Sequence, residues 1–250
     1  MSPAPPRARL LGLLCAPLDA CQGLLDLLLP PACGVCQALL DERREVLCPN
    51  CAAELEPLGG ALCGRCGLPG ADPCPACRGE PGPLSRLRSG WAYEGALQQA
   101  ILRMKLGRRI ELAEDLGARL AARALPGWEW QELELLAPIP LHPRRLHARG
   151  FNQAAVIARA LARAHGLPLS LDHLVRTRAT PEQARAQDRA ARLANVRGAF
   201  AVRAGHPFAG RCVCLVDDVV TTGATLHAAA EALLAAGARE VRGLSVARTL

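Results

Sequence analysis

Eight of the chain's 12 cysteines form four C-x-x-C pairs, Cys33/Cys36, Cys48/Cys51, Cys63/Cys66 and Cys74/Cys77, spread over about 45 residues. A C-x-x-C knuckle places two thiolates on one tight turn, where both reach a tetrahedral Zn²⁺ at ~2.3 Å, and two knuckles complete four-coordination. The spacing therefore predicts two structural zinc ions. The simplest pairing puts Cys33, Cys36, Cys48 and Cys51 on one and Cys63, Cys66, Cys74 and Cys77 on the other. Interleaved pairing is the alternative. A disulfide framework or redox C-x-x-C motifs would use the same residue type, and four regular knuckles argue against both.

A second constellation lies in Val213-Cys214-Leu215-Val216-Asp217-Asp218-Val219-Val220-Thr221-Thr222-Gly223-Ala224-Thr225. An apolar strand delivers two adjacent carboxylates to its carboxyl end, where ligands bind in open α/β sheets, and a small-residue turn then opens a helix. Thr221, Thr222, Gly223, Ala224 and Thr225 offer backbone N–H groups and hydroxyls at the positive end of a helix dipole, a cradle for phosphate. No G-K-[ST] follows, so this is not a Walker loop. Asp217 and Asp218 can accept hydrogen bonds from vicinal ribose hydroxyls while the loop holds a 5′-phosphate. The plain structural reading is a strand and a helix capped by Thr222, with both acids solvated.

The elements that position these residues follow from periodicity. From Trp91 onward helical and strand patterns alternate as in a parallel α/β sheet with helices on both faces. Glu94–Leu106, Glu111–Leu125, Asn152–His165 and Thr222–Ala236 read as helices, the last closed by Gly237. Leu135–Ile139, Phe200–Val202, Cys212–Val216 and Val241–Ala247 read as strands. Cys212 and Cys214 share one strand face as core residues, and Trp128 and Trp130 cover a helix edge. Ahead of this α/β unit (85–250) stands a small cysteine-rich double zinc ribbon (31–80) with little to form a core, folding around its metals. Residues 1–30 form an amphipathic helical lead carrying Leu18, Cys21, Leu25 and Leu28, and ending at Pro30-Pro31.

Composition narrows the class. Half the 250 residues are hydrophobic and 21% are charged, which excludes a disordered chain. No apolar run approaches the ~20 residues of a membrane span. The short run after Arg7 and Arg9 lacks a convincing cleavage site, so a cytoplasmic protein is expected. Of the 30 basic residues only Lys105 is lysine, and the net charge of +7 belongs to the second part of the chain. Residues 141–203 hold 12 arginines against Asp172, Glu182 and Asp188, which favours phosphates or nucleic acid as partners.

The Asp217–Thr225 segment resembles the 5-phosphoribosyl 1-pyrophosphate (PRPP) signature of type I phosphoribosyltransferases. With Pro138-Ile139-Pro140-Leu141-His142, Arg149-Gly150-Phe151-Asn152-Gln153, the knuckles, Lys105 and the closing Arg248-Thr249-Leu250, almost the whole chain resembles the ComF family of competence-associated, phosphoribosyltransferase-like proteins, GntX-type members included. The resemblance implies a type I phosphoribosyltransferase-like sheet that binds PRPP with Mg²⁺. It places Leu141, His142 and Arg149 on the pyrophosphate side. It also implies a closing hood from Arg176 through Arg178, Gln183 and Arg189 to Asn195.

Two functions follow. One is a PRPP- or ribose-phosphate-binding protein acting in DNA uptake and natural transformation, with single-stranded DNA or a DNA-uptake protein as partner. The other is an active transferase delivering phosphoribosyl to an unidentified base or amine. The 3% aromatic content counts against extensive base stacking on DNA.

Overall fold

The computed structural model describes residues 30–79, 82–178, 196 and 198–250. The amphipathic lead, with Cys15 and Cys21, falls outside the described residues except for Pro30, and so do Gln183, Arg189 and Asn195.

Four parallel strands form the central sheet in the order β1 (Arg86–Ala92), β6 (Glu240–Arg248), β5 (Cys212–Val220), β2 (Leu135–Pro138). Val213 of β5 sits between Leu135 of β2 and Val241 of β6, which fixes the register at the strand starts. Strand β5 is buried on both faces because its apolar residues alternate between two cores. Cys212, Cys214 and Val216 pack with Leu97 and Ile101 of α2 (Gly95–Leu106), Leu112, Leu116 and Leu120 of α3 (Ile110–Ala121), and Ile157 and Leu161 of α5 (Gln153–His165). Val213 and Leu215 face Leu226, Ala229 and Leu233 of α6 (Ala224–Ala235). A separate antiparallel pair, β3 (Leu174–Arg176) and β4 (Phe200–Val202), joins that second core through Leu174 and Phe200.

Several elements differ from the pattern-based expectations. Strand β1 starts five residues before Trp91, because Arg88 is buried by donating to main-chain carbonyls of Pro126, Leu87 and Gly64 instead of reaching water. Helix α4 (Pro143–Arg149) has no apolar stripe to announce it, yet it carries proline in its first turn, the His142 ring accepting from the Arg144 amide, and Gly150 in the left-handed region at its end. Helix α3 stops at Ala121, short of Leu125, and β5 runs on to Val220, so both acids lie inside the strand.

The knuckle segment is also less self-contained than its composition suggests. Val35, Leu40, Leu47 and Leu55 of the first ribbon are buried in the same core as Trp91, Leu97 and Leu112. The short helix α1 (Pro49–Ala53) carries Cys51 into that core. The second ribbon keeps a small cluster of its own, Cys63, Cys74 and Cys77 with Leu68 at its edge.

Candidate metal centres and ligand site

The thiols gather in the simplest of the expected pairings. In each set, Cys33/Cys36/Cys48/Cys51 and Cys63/Cys66/Cys74/Cys77, all four Sγ atoms lie within 4.8 Å of one another. A tetrahedron with Zn–S of ~2.3 Å has an S···S edge of about 3.8 Å. Cys36–Cys48 at 3.6 Å and Cys66–Cys74 at 3.5 Å match it. The main chain supplies the charge compensation that thiolate ligands need, with Val35 N–H and Cys48 N–H both donating to Cys33 Sγ. Burial raises the Cys33 thiol, but backbone donors at Cys48, Cys36 and Val35 outweigh it and bring the group down to about 6. The second set repeats the arrangement, with Cys63 desolvated yet lowered to about 6 by backbone donors at Cys66, Cys74 and Arg65. Burial and the neighbouring thiols raise Cys51 and Cys77 instead. The donor sets fit two structural Zn²⁺ ions, whose role is to hold the knuckles folded.

At the other candidate site, β5 carries Asp217 and Asp218 to opposite sides of the sheet edge. Asp218 is buried, and its Oδ2 lies 2.9 Å from Nζ of Lys105 at the end of α2. Its Oδ1 accepts from the Val219 amide, and Asp217 Oδ1 accepts from the Asp218 amide. Burial, then the adjacent Asp218 carboxylate, push Asp217 up to about 7, while Lys105 and Arg176 act in the opposite direction. Arg176 reaches this region from β3, its guanidinium over the Phe200 ring at 5.4 Å. Its own pKa is lowered by burial and by Arg145 of α4, and raised by Asp217.

The turn after β5 is shaped by Gly223, which sits at φ +80° as the amino-terminal cap of α6. A side chain would strain that position. The Thr222 hydroxyl accepts from the Ala224 amide at 3.4 Å, so it helps cap the helix as the plain reading expects. Across from β5, the Ile139 amide donates to Val216 O, so the segment leading to Leu141 and His142 runs beside the carboxylates. The Asn152 side chain fastens the start of α5 to that segment, donating to Ile139 O at 3.0 Å and accepting from the Ala154 amide at 3.1 Å. Arg149 turns to Gln153 Oε1 at 3.3 Å, whereas Arg145, one helical turn earlier, is the cation in the field of Arg176. The fold therefore brings together Asp217, Asp218 and the Thr221–Thr225 turn, and adds Lys105, Arg145 and Arg176. In the sequence Lys105 stands out only as the sole lysine of an arginine-rich chain and as part of the family resemblance, and Arg176 only as the start of the implied hood.

Known proteins resemble both parts of the chain. The double zinc ribbon domain profile matches residues 24–78, and the phosphoribosyl transferase domain profile matches residues 148–248. The DNA utilization protein YhgH of Escherichia coli K12 is 35% identical over 181 residues, covering 71% of this chain and 78% of that one. Competence protein ComFC of Bacillus subtilis is 29% identical over 154 residues, with 62% and 60% covered. Competence protein F of Haemophilus influenzae is 33% identical over 116 residues, with 46% and 50% covered. Among solved structures, the glutamine PRPP amidotransferase of B. subtilis is 24% identical with a TM-score of 0.36, covering 53% of this chain and 25% of that one. A double zinc ribbon with two four-cysteine clusters, a phosphoribosyltransferase-type parallel sheet and this degree of identity to YhgH make the chain a member of the ComF/YhgH family.

Proposed function

We propose that the protein binds Mg²⁺-PRPP, or a related ribose 5-phosphate, and acts in the use or uptake of DNA, as the names of its relatives suggest. The observation that carries this reading is the pair of adjacent carboxylates toward the end of β5, one neutralised by Lys105 at 2.9 Å, a few residues ahead of a glycine-capped helix start. The Thr221–Thr225 turn holds the 5′-phosphate through amides and the helix dipole. Asp217 and Asp218 accept from the ribose hydroxyls. Leu141, His142 and Arg149 flank the diphosphate together with Arg145, and arginine suits phosphate through its paired donors. Residues 31–80 serve as the ribbon and 85–250 as the ligand-binding domain. The residues that would turn binding into transfer are an acceptor pocket, and catalysis would then rest on positioning and charge.

Titration calorimetry on the zinc-loaded chain tests this. Asp217→Asn combined with Asp218→Asn removes charge-assisted hydrogen bonds of roughly 1.5–3 kcal/mol apiece, so Mg²⁺-PRPP affinity should drop at least about 100-fold with the fold intact. Unchanged affinity would remove both acids from the site. A proton on Asp217 takes away an acceptor, so wild-type affinity should also weaken as pH falls through about 7.

A second reading, contact with single-stranded DNA, is favoured by the exposed Arg144, His147, Arg178 and Arg203. It predicts phosphate-dominated binding that fades steeply as salt rises.

A further inference from the structure

Large apolar side chains exposed to water concentrate at one corner of the described residues. Leu102 and Leu106 stand one turn apart at the end of α2, 38% and 81% exposed, and Ile110 opens α3, 44% exposed. Leu39 of the first ribbon is 72% exposed. Single exposed leucines are ordinary, but a group of them marks a surface that something covers. The corner is also cationic, since residues 102–110 contain Arg103, Lys105, Arg108 and Arg109 and no acid. Lys105 is engaged by Asp218 and Arg109 by Glu111. Arg108 donates to a neutral group, Ala148 O at 2.9 Å, so its charge is uncompensated there.

The first ribbon brings one segment of the chain itself to this corner. The Leu40 amide donates to Pro31 O at 2.9 Å and Ala32 bridges to Leu39, so the amphipathic lead joins the described residues beside Leu39. Three residues after Pro31, Gly34 is so close to α3 that an added Cβ would lie 2.7 Å from Leu112 Cδ2. Three residues span at most about 10 Å, which puts the junction within reach of Ile110. The lead is also complementary in chemistry. Residues 18–29 combine six leucines with Asp19 and Asp26 and hold no basic residue. As a helix they would be about 18 Å long, too short to persist in water without a partner face. A second copy of the corner would set arginines against arginines, which disfavours self-association there.

We propose that residues 18–29 dock on the α2–α3 corner as an amphipathic helix, with Leu25 and Leu28 on Leu102, Leu106 and Ile110, and with Asp19 and Asp26 toward Arg103 and Arg108. The first ribbon thereby gains a role beyond holding its metal, because it sets where the lead meets the α/β unit. Lys105 stands in the covered turn of α2, so the docked lead backs the residue that neutralises Asp218. The docking is independent of which ligand the two carboxylates bind.

Hydrogen exchange on the full, zinc-loaded chain tests this. Amides of residues 18–29 should exchange at least about 100-fold more slowly than in an unfolded chain, and Leu106→Asp should speed them at least about tenfold. Conversely, Leu25→Asp should speed the Gly107 and Ile110 amides, which are hydrogen-bonded at the corner, by a similar factor. Zinc content and the protection of α5 should stay at wild-type values in both variants. Should Leu106→Asp disturb α5, the charge reversal Asp19→Lys with Asp26→Lys, which alters no described side chain, decides. Faster exchange at Gly107 and Ile110 in that variant supports the docking, and unchanged exchange overturns it. Lead amides that are unprotected in the wild-type chain, or protected but indifferent to Leu106→Asp, would also overturn it. So would protection that appears only as protein concentration rises, pointing to a second copy, or only on adding phosphatidylglycerol vesicles, pointing to a lipid surface.

Discussion

The two zinc ribbons share a ligand spacing and a sulfur geometry, yet they are attached to the α/β sheet by different physics. The first is attached by apolar burial. Val35, Leu40, Leu47 and Leu55 enter the core that also holds α2 and α3, and Gly34 comes so close that an added Cβ would lie 2.7 Å from Leu112 Cδ2. The second is attached by hydrogen bonds to backbone carbonyls. The Leu87 amide donates to Arg65 O, Arg88 reaches Gly64 O, and Arg248 reaches Cys66 O. Apolar burial is non-directional and adds to global stability, at about 25 cal/mol per Å² removed from water. Hydrogen bonds from strand residues contribute less net energy but fix orientation, which suits a segment that walls a cavity beside Thr221 and Thr222. The same metal motif thus joins the main core in one place and is fastened to the sheet by oriented hydrogen bonds in the other.

The largest expected effect separates the ribbons by their cysteines. Cys33→Ser and Cys63→Ser should each lower the zinc content from two per chain to one, since structural zinc contributes on the order of 10 kcal/mol of folding free energy per site. Only Cys33→Ser should lower the global melting temperature by on the order of 10 °C, because its ribbon unfolds out of the shared core. Cys63→Ser should leave the main transition nearly in place, because the second ribbon keeps a cluster of its own. Equal melting shifts, measured by calorimetry beside elemental analysis, would break the distinction.

That distinction also marks where the sequence was informative. Pairing of the eight thiols could be read from spacing, because a two-residue gap dictates a turn whatever surrounds it. Helices α3 and α5 and strand β5 could be read because their apolar periods match burial on one or both sides. The attachments could not. Leu47 and Leu55 stand in a polar, glycine-rich stretch whose partners lie dozens of residues downstream, so local pattern gave no sign that they are core. Arg86 and Arg88 kept β1 from showing in the pattern ahead of Trp91, since their alternation with Leu87 is that of a buried strand only if one knows that carbonyls bury Arg88. Lys105 ends an ordinary helix, and only the tertiary fold brings it to Asp218. The candidate site was legible from the residues where one segment carries it, at Asp217–Thr225, whereas Lys105 and Arg176 were singled out by the family resemblance alone and Arg145 was not placed at this site.

A smaller effect sharpens the contrast within the apolar residues. Leu47 is 3% exposed, and Leu47→Ala should destabilise the whole protein by about 2–5 kcal/mol through lost burial and a cavity. Leu68 is only half-buried and belongs to the second ribbon's own cluster, so Leu68→Ala should change global stability by less than about 1.5 kcal/mol. Its effect should stay local, as faster amide exchange within residues 63–77. Denaturant titrations of both variants check the first part, and a comparable loss of stability would mean that the second ribbon also contributes to the main core.

The smallest expected effect concerns one methyl group in each ribbon. Gly67 sits at φ +69°, and a Cβ there would lie 2.6 Å from Leu87 O, a backbone atom pinned within β1. Gly67→Ala therefore meets both backbone strain and a neighbour that cannot turn aside, a local cost of about 1–3 kcal/mol. Gly34→Ala meets the far end of the Leu112 side chain, which can rotate, but Leu112 lies at the centre of the shared core. Gly34→Ala should lower global stability by about 1 kcal/mol, whereas Gly67→Ala should leave the global transition within about 1 kcal/mol of wild type. Hydrogen exchange distinguishes the two. Amides of residues 63–77 should exchange faster in Gly67→Ala while those of α3 stay protected, since local opening need not involve the core. Faster exchange throughout α3 in the Gly67 variant would show that the carbonyl-bonded ribbon and the core unfold as one unit, and the two modes of attachment would then be one.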